Sequence, residues 1–159
     1  MKRNSLKVSM LLLLPLLMLG CSGGASSTTN STVVPTAAAT PSDPKLDKGV
    51  GPVSSLALQP INPSLVKDGE KLFEKSCTAC HRIEKRRVGP ALSGVTARRS
   101  PEWIMNMILN PSEMLEKDAI AKELLAEYAT QMANMNITQD QARAILEYLR
   151  TKEDPNAKD

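Results

Sequence analysis

The feature that most constrains this chain is the run Cys77-Thr78-Ala79-Cys80-His81, which holds two thiols and the only histidine. Two cysteines three positions apart at the start of a helix can both reach the vinyl groups on one edge of a haem. The histidine that follows the second cysteine then directs its imidazole at the iron. The spacing therefore predicts one covalently bound haem c, with His81 as an axial ligand.

Other uses of this pair of thiols require partners that the sequence lacks. A zinc site needs a second pair of nitrogen or sulfur ligands, and the one remaining cysteine, Cys21, is far away in the chain. A thioredoxin-like redox pair needs strands around it, and no window of the sequence alternates as a strand does. A disulfide between Cys77 and Cys80 would be strained and would leave His81 unexplained.

The N-terminus has the features of an export signal. Three basic residues precede an apolar run from Met10 to Leu19, which is too short to span a bilayer. Met18-Leu19-Gly20-Cys21 resembles the bacterial lipobox, and this resemblance implies cleavage before Cys21 and lipid on its sulfur and new amine. An ordinary signal peptide with a chance cysteine is the alternative. We thus expect residues 1–20 to be a lipoprotein signal peptide, with the mature protein anchored to a bacterial membrane on its periplasmic or extracytoplasmic side.

The charge balance gives no reason to expect nucleic acid as a partner. The full chain has 20 basic and 17 acidic residues, and the three basic residues of the signal leave 17 of each after its removal. The basic character therefore belongs to the precursor.

Composition divides the mature chain into segments. Residues 21–61 are rich in Ser, Thr, Gly, Ala and Pro and contain few large apolar side chains, so we predict a lipid-anchored flexible linker. Residues 62–152 form the predicted folded domain, and residues 153–159 a disordered tail.

Helical periodicity and capping signals predict an all-α domain. The first predicted helix begins at the N-cap Ser64 and runs into Cys77, and residues 82–99 are predicted to be a loop. The second lies between Ser100-Pro101 and Asn110-Pro111, and the third runs from Leu115 to Tyr128. The last opens at the capping box of Thr138 and Gln141.

Residues 62–152 resemble the monohaem class I cytochrome c family. The resemblance rests on Gly69 and Phe73 ahead of the haem motif, on Gly89-Pro90, on a methionine loop, and on Glu147-Tyr148-Leu149. It implies a small cytochrome c fold whose first and last helices cross at Gly69. It also implies that the Pro90 carbonyl accepts the His81 ring N–H, and that the protein carries electrons and is not an enzyme.

The same resemblance places the sixth iron ligand at Met132. No second histidine exists, and a thioether is the natural alternative. Met135 falls at an apolar packing position of the family pattern, although it is also a candidate ligand. Ala133 replaces the proline that the family has after its methionine, so the loop should be less rigid. An open site, as in a haem enzyme or a gas-ligand sensor, is the competing hypothesis.

Residues around the predicted haem suggest how partners are met. We expect a basic collar to steer acidic redox partners to the haem edge, and it consists of Arg82, Lys85, Arg86, Arg87, Arg98 and Arg99. Trp103 or the last two arginines are either contacts of a haem propionate or ordinary structural residues. Residues 100–111 look similar to lipoprotein cytochromes that accompany nitrous-oxide reductases. The predicted acceptor is thus a terminal reductase or oxidase, and a subunit of a larger respiratory complex is an alternative.

Overall fold

The computed structural model describes residues 43–153, and six helices lie in this part of the chain. No strand occurs among these residues, apart from an isolated bridge between Arg82 and Ala91. The all-α prediction is confirmed. The predictions for residues 1–42 and 154–159, including lipidation at Cys21, lie outside the described residues. The helices are α1 (Pro63–Ser76), α2 (Val95–Arg98), α3 (Pro101–Leu109), α4 (Pro111–Lys117), α5 (Ala119–Tyr128) and α6 (Gln139–Arg150).

The first and last helices pack directly on each other, as expected. Gly69 of α1 touches the backbone of α6, since a Cβ added there would lie 1.9 Å from the carbonyl oxygen of Ala144. One turn further on, the rings of Phe73 and Tyr148 pack with their centroids 5.3 Å apart. The missing side chain at Gly69 thus lets the two helices approach closely enough for these rings to meet.

Helix α6 begins at the predicted capping box and contains a buried carboxylate. Thr138 and Gln141 exchange side-chain and backbone hydrogen bonds at its start. Glu147 is fully buried and accepts hydrogen bonds from Arg143 and Arg150. Burial raises the pKa of Glu147, but these two guanidinium groups outweigh it and hold the pKa below its usual value. The carboxylate is thus an ion-paired part of the core.

The start of α1 and the structure of residues 82–99 differ from the prediction. The N-cap of α1 is Asn62 and not Ser64, because the Asn62 side chain accepts the N–H groups of Ser64 and Leu65 while Pro63 occupies the first turn. The predicted loop at residues 82–99 also contains the four-residue helix α2.

The third predicted helix is in fact two helices, because the chain is extended at Asp118. Its side chain caps α5 by accepting the N–H of Ala121, at 2.8 Å, and also accepts the indole N–H of Trp103, at 3.1 Å. Pro111 begins α4 earlier than predicted, at the first helical position.

The folded part begins before residue 62, so the predicted linker boundary is wrong. Residues 47–56, here called the N-terminal strap, pack against α3. The amide of Asn106 donates to the carbonyls of Lys48 and Val53 and accepts the N–H of Val53, each at 2.9 Å. Glu102 accepts the N–H of Leu56 at 3.0 Å. Composition did not reveal this segment because polar side chains of α3 bind its backbone.

Within residues 43–153, the helices are all too short or too polar to cross a membrane.

Candidate functional site

A large cleft opens on the apolar interior of the domain. It holds about 1350 Å³ of empty space, open solvent included, and all six helices and the loops next to them line it. Apolar side chains dominate the wall, among them Ile104, Leu115, Leu124, Ile145 and Leu149. The interior of a protein normally contains few voids larger than a water molecule. An apolar cleft that opens into the interior of the domain therefore fits a large apolar group.

The two cysteines reach this cleft through a tight turn at the end of α1. The carbonyl of Cys77 accepts the N–H groups of Cys80, at 3.1 Å, and His81, at 2.9 Å. Both thiols are free and line the cleft, with Cys77 half-buried and Cys80 exposed. Burial raises the pKa of the Cys77 thiol to about 11. Since reactive redox thiols have lowered pKa values, this arrangement does not favour a thioredoxin-like pair.

His81 is held in the orientation that a metal ligand needs. Its Nδ1 lies 3.0 Å from the carbonyl oxygen of Pro90. Burial lowers the pKa of the imidazole, and the bond to Pro90 opposes this only in part. A neutral ring that donates from Nδ1 keeps the lone pair of Nε2 for a metal. The hydrogen bond implied by the family resemblance is therefore present.

Gly89 lies directly against the imidazole ring of His81. The sequence analysis did not assign this role. A Cβ at this position would lie 2.5 Å from Cε1 of His81. The N–H groups of Val88 and Gly89 both donate to the carbonyl of Cys80, at 3.1 and 3.0 Å, which folds the loop back onto the turn of the haem motif. The only sequence signal for this contact was a glycine next to Pro90.

Two methionines of the loop after α5 line the cleft. Met132 is half-buried against the core, whereas Met135 is 46% exposed. Met107 also lines the cleft. Met114 is fully buried elsewhere, with its sulfur accepting the N–H of Val50. The identity of the sixth ligand stays a prediction, and the partial burial of Met132 favours it over Met135.

The loop that carries these methionines has little backbone support. Residues 130–137 make no backbone–backbone hydrogen bond with any other described residue. Asn136 has a positive φ of 52°, and its N–H bonds to the side chain of Asn134. Ala133 is exposed. Side-chain contacts and the two ends of this loop must therefore hold it in place.

Much of the basic collar also holds the backbone of the loop that follows the haem motif. Arg82 and Arg87 both donate to the carbonyl of Thr78. Arg98 donates to the carbonyls of Ser93 and Ala91, at 2.8 and 3.3 Å. These three arginines are thus structural residues as well as positive charges.

The indole of Trp103 lines the cleft, and its N–H is bound within the protein. Its indole N–H bonds to Asp118, and the guanidinium of Arg99 lies 5.5 Å from its ring centroid. The indole therefore has its acceptor within the protein, and a propionate contact is not needed to satisfy it.

These residues fit a covalently attached haem. Two thiols and an imidazole with a free Nε2 lie in sequence along one segment of the cleft, and a thioether enters the same cleft from another segment. The remaining wall is predominantly apolar, which suits the porphyrin faces.

Comparison with known proteins agrees with this geometry. The Cytochrome c family matches residues 66–153. The structure of cytochrome c from Rhodothermus marinus superimposes with a TM-score of 0.62 and is 49% identical in sequence, covering 64% of this chain and 88% of that one. An engineered variant of that protein, bound to a carbene intermediate, is 48% identical with a TM-score of 0.60.

Curated relatives match a shorter segment. Cytochrome c-551 of Stutzerimonas stutzeri is 47% identical over 47 residues, and cytochrome c2 of Rhodopseudomonas palustris is 44% identical over 46 residues. Each match covers 29% of this chain, and the two span only 42% and 32% of these relatives' own lengths.

The family match therefore covers the cleft, its thiols and its histidine together. The chain belongs to the cytochrome c family and binds haem c covalently.

Proposed function

We propose that this protein is a one-electron carrier in which His81 and Met132 are the axial ligands of the haem iron. The bound haem supplies an iron that alternates between Fe(III) and Fe(II). The residues of the chain do the rest. Cys77 and Cys80 fix the haem in place, and Pro90 holds the imidazole of His81 in one orientation and increases its basicity toward the metal.

One observation carries this proposal: His81 and Met132 come from separate segments and line the same apolar cleft. A thioether ligand raises the reduction potential of a haem. A pair of ligands that stays bound in both oxidation states requires little rearrangement when an electron arrives.

The absorption spectrum of the oxidised, haem-loaded protein tests the ligand set. We expect a long-wavelength Met–Fe(III) charge-transfer band that disappears in Met132→Ala. Met135→Ala is the matched control and should keep the band. Loss of the band in Met135→Ala alone would identify Met135 as the ligand.

The proposed location is a bacterial membrane facing the periplasm or extracytoplasmic space. The support is the lipobox resemblance at Cys21, followed by a segment of small and polar residues. Fractionation of cells that express the full chain tests it. The wild-type protein should sediment with membranes, whereas Cys21→Ser should be released to the soluble exported fraction. Equal distribution of the two proteins would contradict the lipid anchor.

The proposed partners are redox proteins with acidic faces, and the acceptor is a terminal reductase or oxidase, with nitrous-oxide reductase as the first candidate. Lys85, Arg86 and Arg87 are exposed beside Val88, which lines the cleft and is 41% exposed. Electron transfer to the acceptor should slow as salt is added, because screening weakens attraction between exposed charges. A rate independent of ionic strength would contradict steering by these residues.

A ligand-binding haem protein with an open distal site is the second candidate. The weakly supported loop around Met132 and the exposed Ala133 favour it. Tight binding of carbon monoxide to the reduced protein, without a charge-transfer band in the oxidised one, would establish this function in place of electron transfer.

A further inference from the structure

Arg86 joins the segment that holds His81 to the helix that precedes Met132. It lies between His81 and Pro90 in sequence, but its side chain reaches the end of α5. One guanidinium nitrogen lies 3.2 Å from Oε1 of Glu127, and the other lies 3.3 Å from the Glu127 carbonyl oxygen. The centre of the guanidinium lies 4.0 Å from the ring centroid of Tyr128.

These contacts fall where α5 ends. Glu127 and Tyr128 are its last two residues, and Ala129 then turns the chain with a φ of 50°. The last four carbonyls of a helix have no partner within the helix, and a cation there is favoured by the helix dipole. Arg86 satisfies one of these carbonyls and stacks on the neighbouring aromatic ring. It therefore fixes the point from which the chain departs toward Met132.

The loop that follows depends on its ends. Residues 130–137 have no backbone–backbone hydrogen bond to other described residues, and Ala133 supplies no proline rigidity. The far end is fixed by the capping box at Thr138. Arg86 is the matching restraint at the near end, and its partner Tyr128 also lines the cleft.

We propose that Arg86 is a positioning residue that holds Met132 on the haem iron by tying the His81–Pro90 loop to the start of the methionine loop. This inference rests on the proposed ligation by Met132. It differs from steering by the basic collar, because it concerns the isolated protein and the geometry of its own ligand loop.

Lys85 provides a matched control. It is exposed, has the same charge as Arg86 and is its neighbour in the loop, and neither a hydrogen bond nor an ion pair joins its side chain to another described residue. Replacing either residue removes one positive charge from the collar. Only the replacement of Arg86 separates the two loops.

Imidazole is the probe, because it binds the Fe(III) haem only when the methionine loop opens. In the full-length, haem-loaded protein, Arg86→Gln should bind imidazole about fivefold more tightly than wild type, from the loss of one cation–π contact and one exposed ion pair. Lys85→Gln should bind as wild type does. Arg86→Lys should fall between the two, because it keeps the charge but loses the forked contact.

Amide exchange gives a second readout. Exchange should increase at the end of α5 in Arg86→Gln, including the Ala129 N–H that bonds to the Leu125 carbonyl at 2.9 Å, while α1 and α6 keep their protection. If Arg86→Gln fails to load haem, Glu127→Gln removes the same ion pair from the other side and should also tighten imidazole binding. If the Arg86 and Glu127 variants bind imidazole with the same affinity as wild type, the proposal is overturned.

Met132→Ala distinguishes this failure from failure of the proposed ligation. If Met132→Ala abolishes the charge-transfer band while the Arg86 variants bind imidazole as tightly as wild type does, ligation by Met132 stands and Arg86 has no positioning role. If Met132→Ala leaves the band and imidazole affinity unchanged, ligation by Met132 is wrong, and the inference about Arg86 is overturned with it.

Discussion

Gly69 and Ala144 bring the first and last helices into backbone contact, with only a hydrogen atom between Cα of the glycine and the facing carbonyl. A methyl group at residue 69 would lie 1.9 Å from the Ala144 oxygen and 3.0 Å from the nitrogen of Ile145. The two helices would have to separate to admit it. The packing of Phe73 on Tyr148 would be lost with that separation.

Gly69→Ala should therefore destabilise the protein by about 3 kcal/mol or prevent haem loading, since overpacking against rigid backbone cannot relax through a side chain. Denaturant unfolding of the haem-loaded protein measures the effect. Lys71→Ala, an exposed change in the same helix, should alter stability by less than about 0.5 kcal/mol. Similar stabilities for the two variants would contradict the close crossing.

Gly89→Ala should displace the imidazole of His81, because the added methyl would lie 2.5 Å from Cε1. We expect the hydrogen bond from Nδ1 to Pro90 to break, which lowers the basicity of the ring toward iron and raises the reduction potential. Pro90→Ala is the control, because it keeps the accepting carbonyl. Potentiometry measures the reduction potential, and the NMR signal of the Nδ1 proton reports the hydrogen bond. An unchanged proton signal in Gly89→Ala would contradict the prediction.

Asn106→Ala should release the N-terminal strap without unfolding the domain. The variant loses three hydrogen bonds to Lys48 and Val53. We expect a loss of about 2 kcal/mol, less than three full bonds, because the freed strap can bond to water. Amide exchange should rise in residues 49–56 and stay slow in α1 and α6. Asn106→Asp keeps the acceptor but places a buried carboxylate oxygen against the carbonyls of Lys48 and Val53, so it should release the strap at least as strongly. Unchanged exchange in Asn106→Ala would show that the amide does not hold the strap.

Glu147 should make the free energy of unfolding depend on pH. Its pKa is held below the ordinary value of 4.5 in the folded state, so its contribution is complete above about that pH and is lost as the pH falls through the folded-state pKa. Glu147→Gln should be less stable at neutral pH by about 1–3 kcal/mol and should lose less stability on acidification. Urea unfolding between neutral pH and pH 3 tests this, and parallel curves for the two proteins would exclude Glu147 as the source.

Several features of the fold and the site were predictable because they depend on residues close together in the chain. The haem motif, the capping box of Thr138 and the start of α3 at Pro101 are local patterns, and each holds in the structure. The hydrogen bond from His81 to Pro90 spans nine residues and came from the family resemblance, not from local chemistry.

The two largest errors, the undivided third helix and the boundary of the linker, arose where distant groups decide the local conformation. Asp118 divides a continuous helical pattern because its carboxylate binds both Trp103 and the start of α5. The strap packs against α3 because Glu102 accepts a hydrogen bond from its backbone and Asn106 donates one to it. These two polar residues, four positions apart on an otherwise apolar helix, are on one face, and that spacing was the signal available in the sequence.

By itself, the sequence determined the chemistry of attachment, since two thiols and one histidine at fixed spacing allow a single use. It also determined the helical class through periodicity and capping. Only the tertiary structure decided where the folded part begins, that Gly89 lies against the imidazole, and that Arg86 reaches Glu127, 41 residues further along the chain. The physical reason is the distance along the chain. The spacing of residues in the sequence specifies contacts within a few helical turns, whereas groups of remote segments meet only when tertiary packing brings them together.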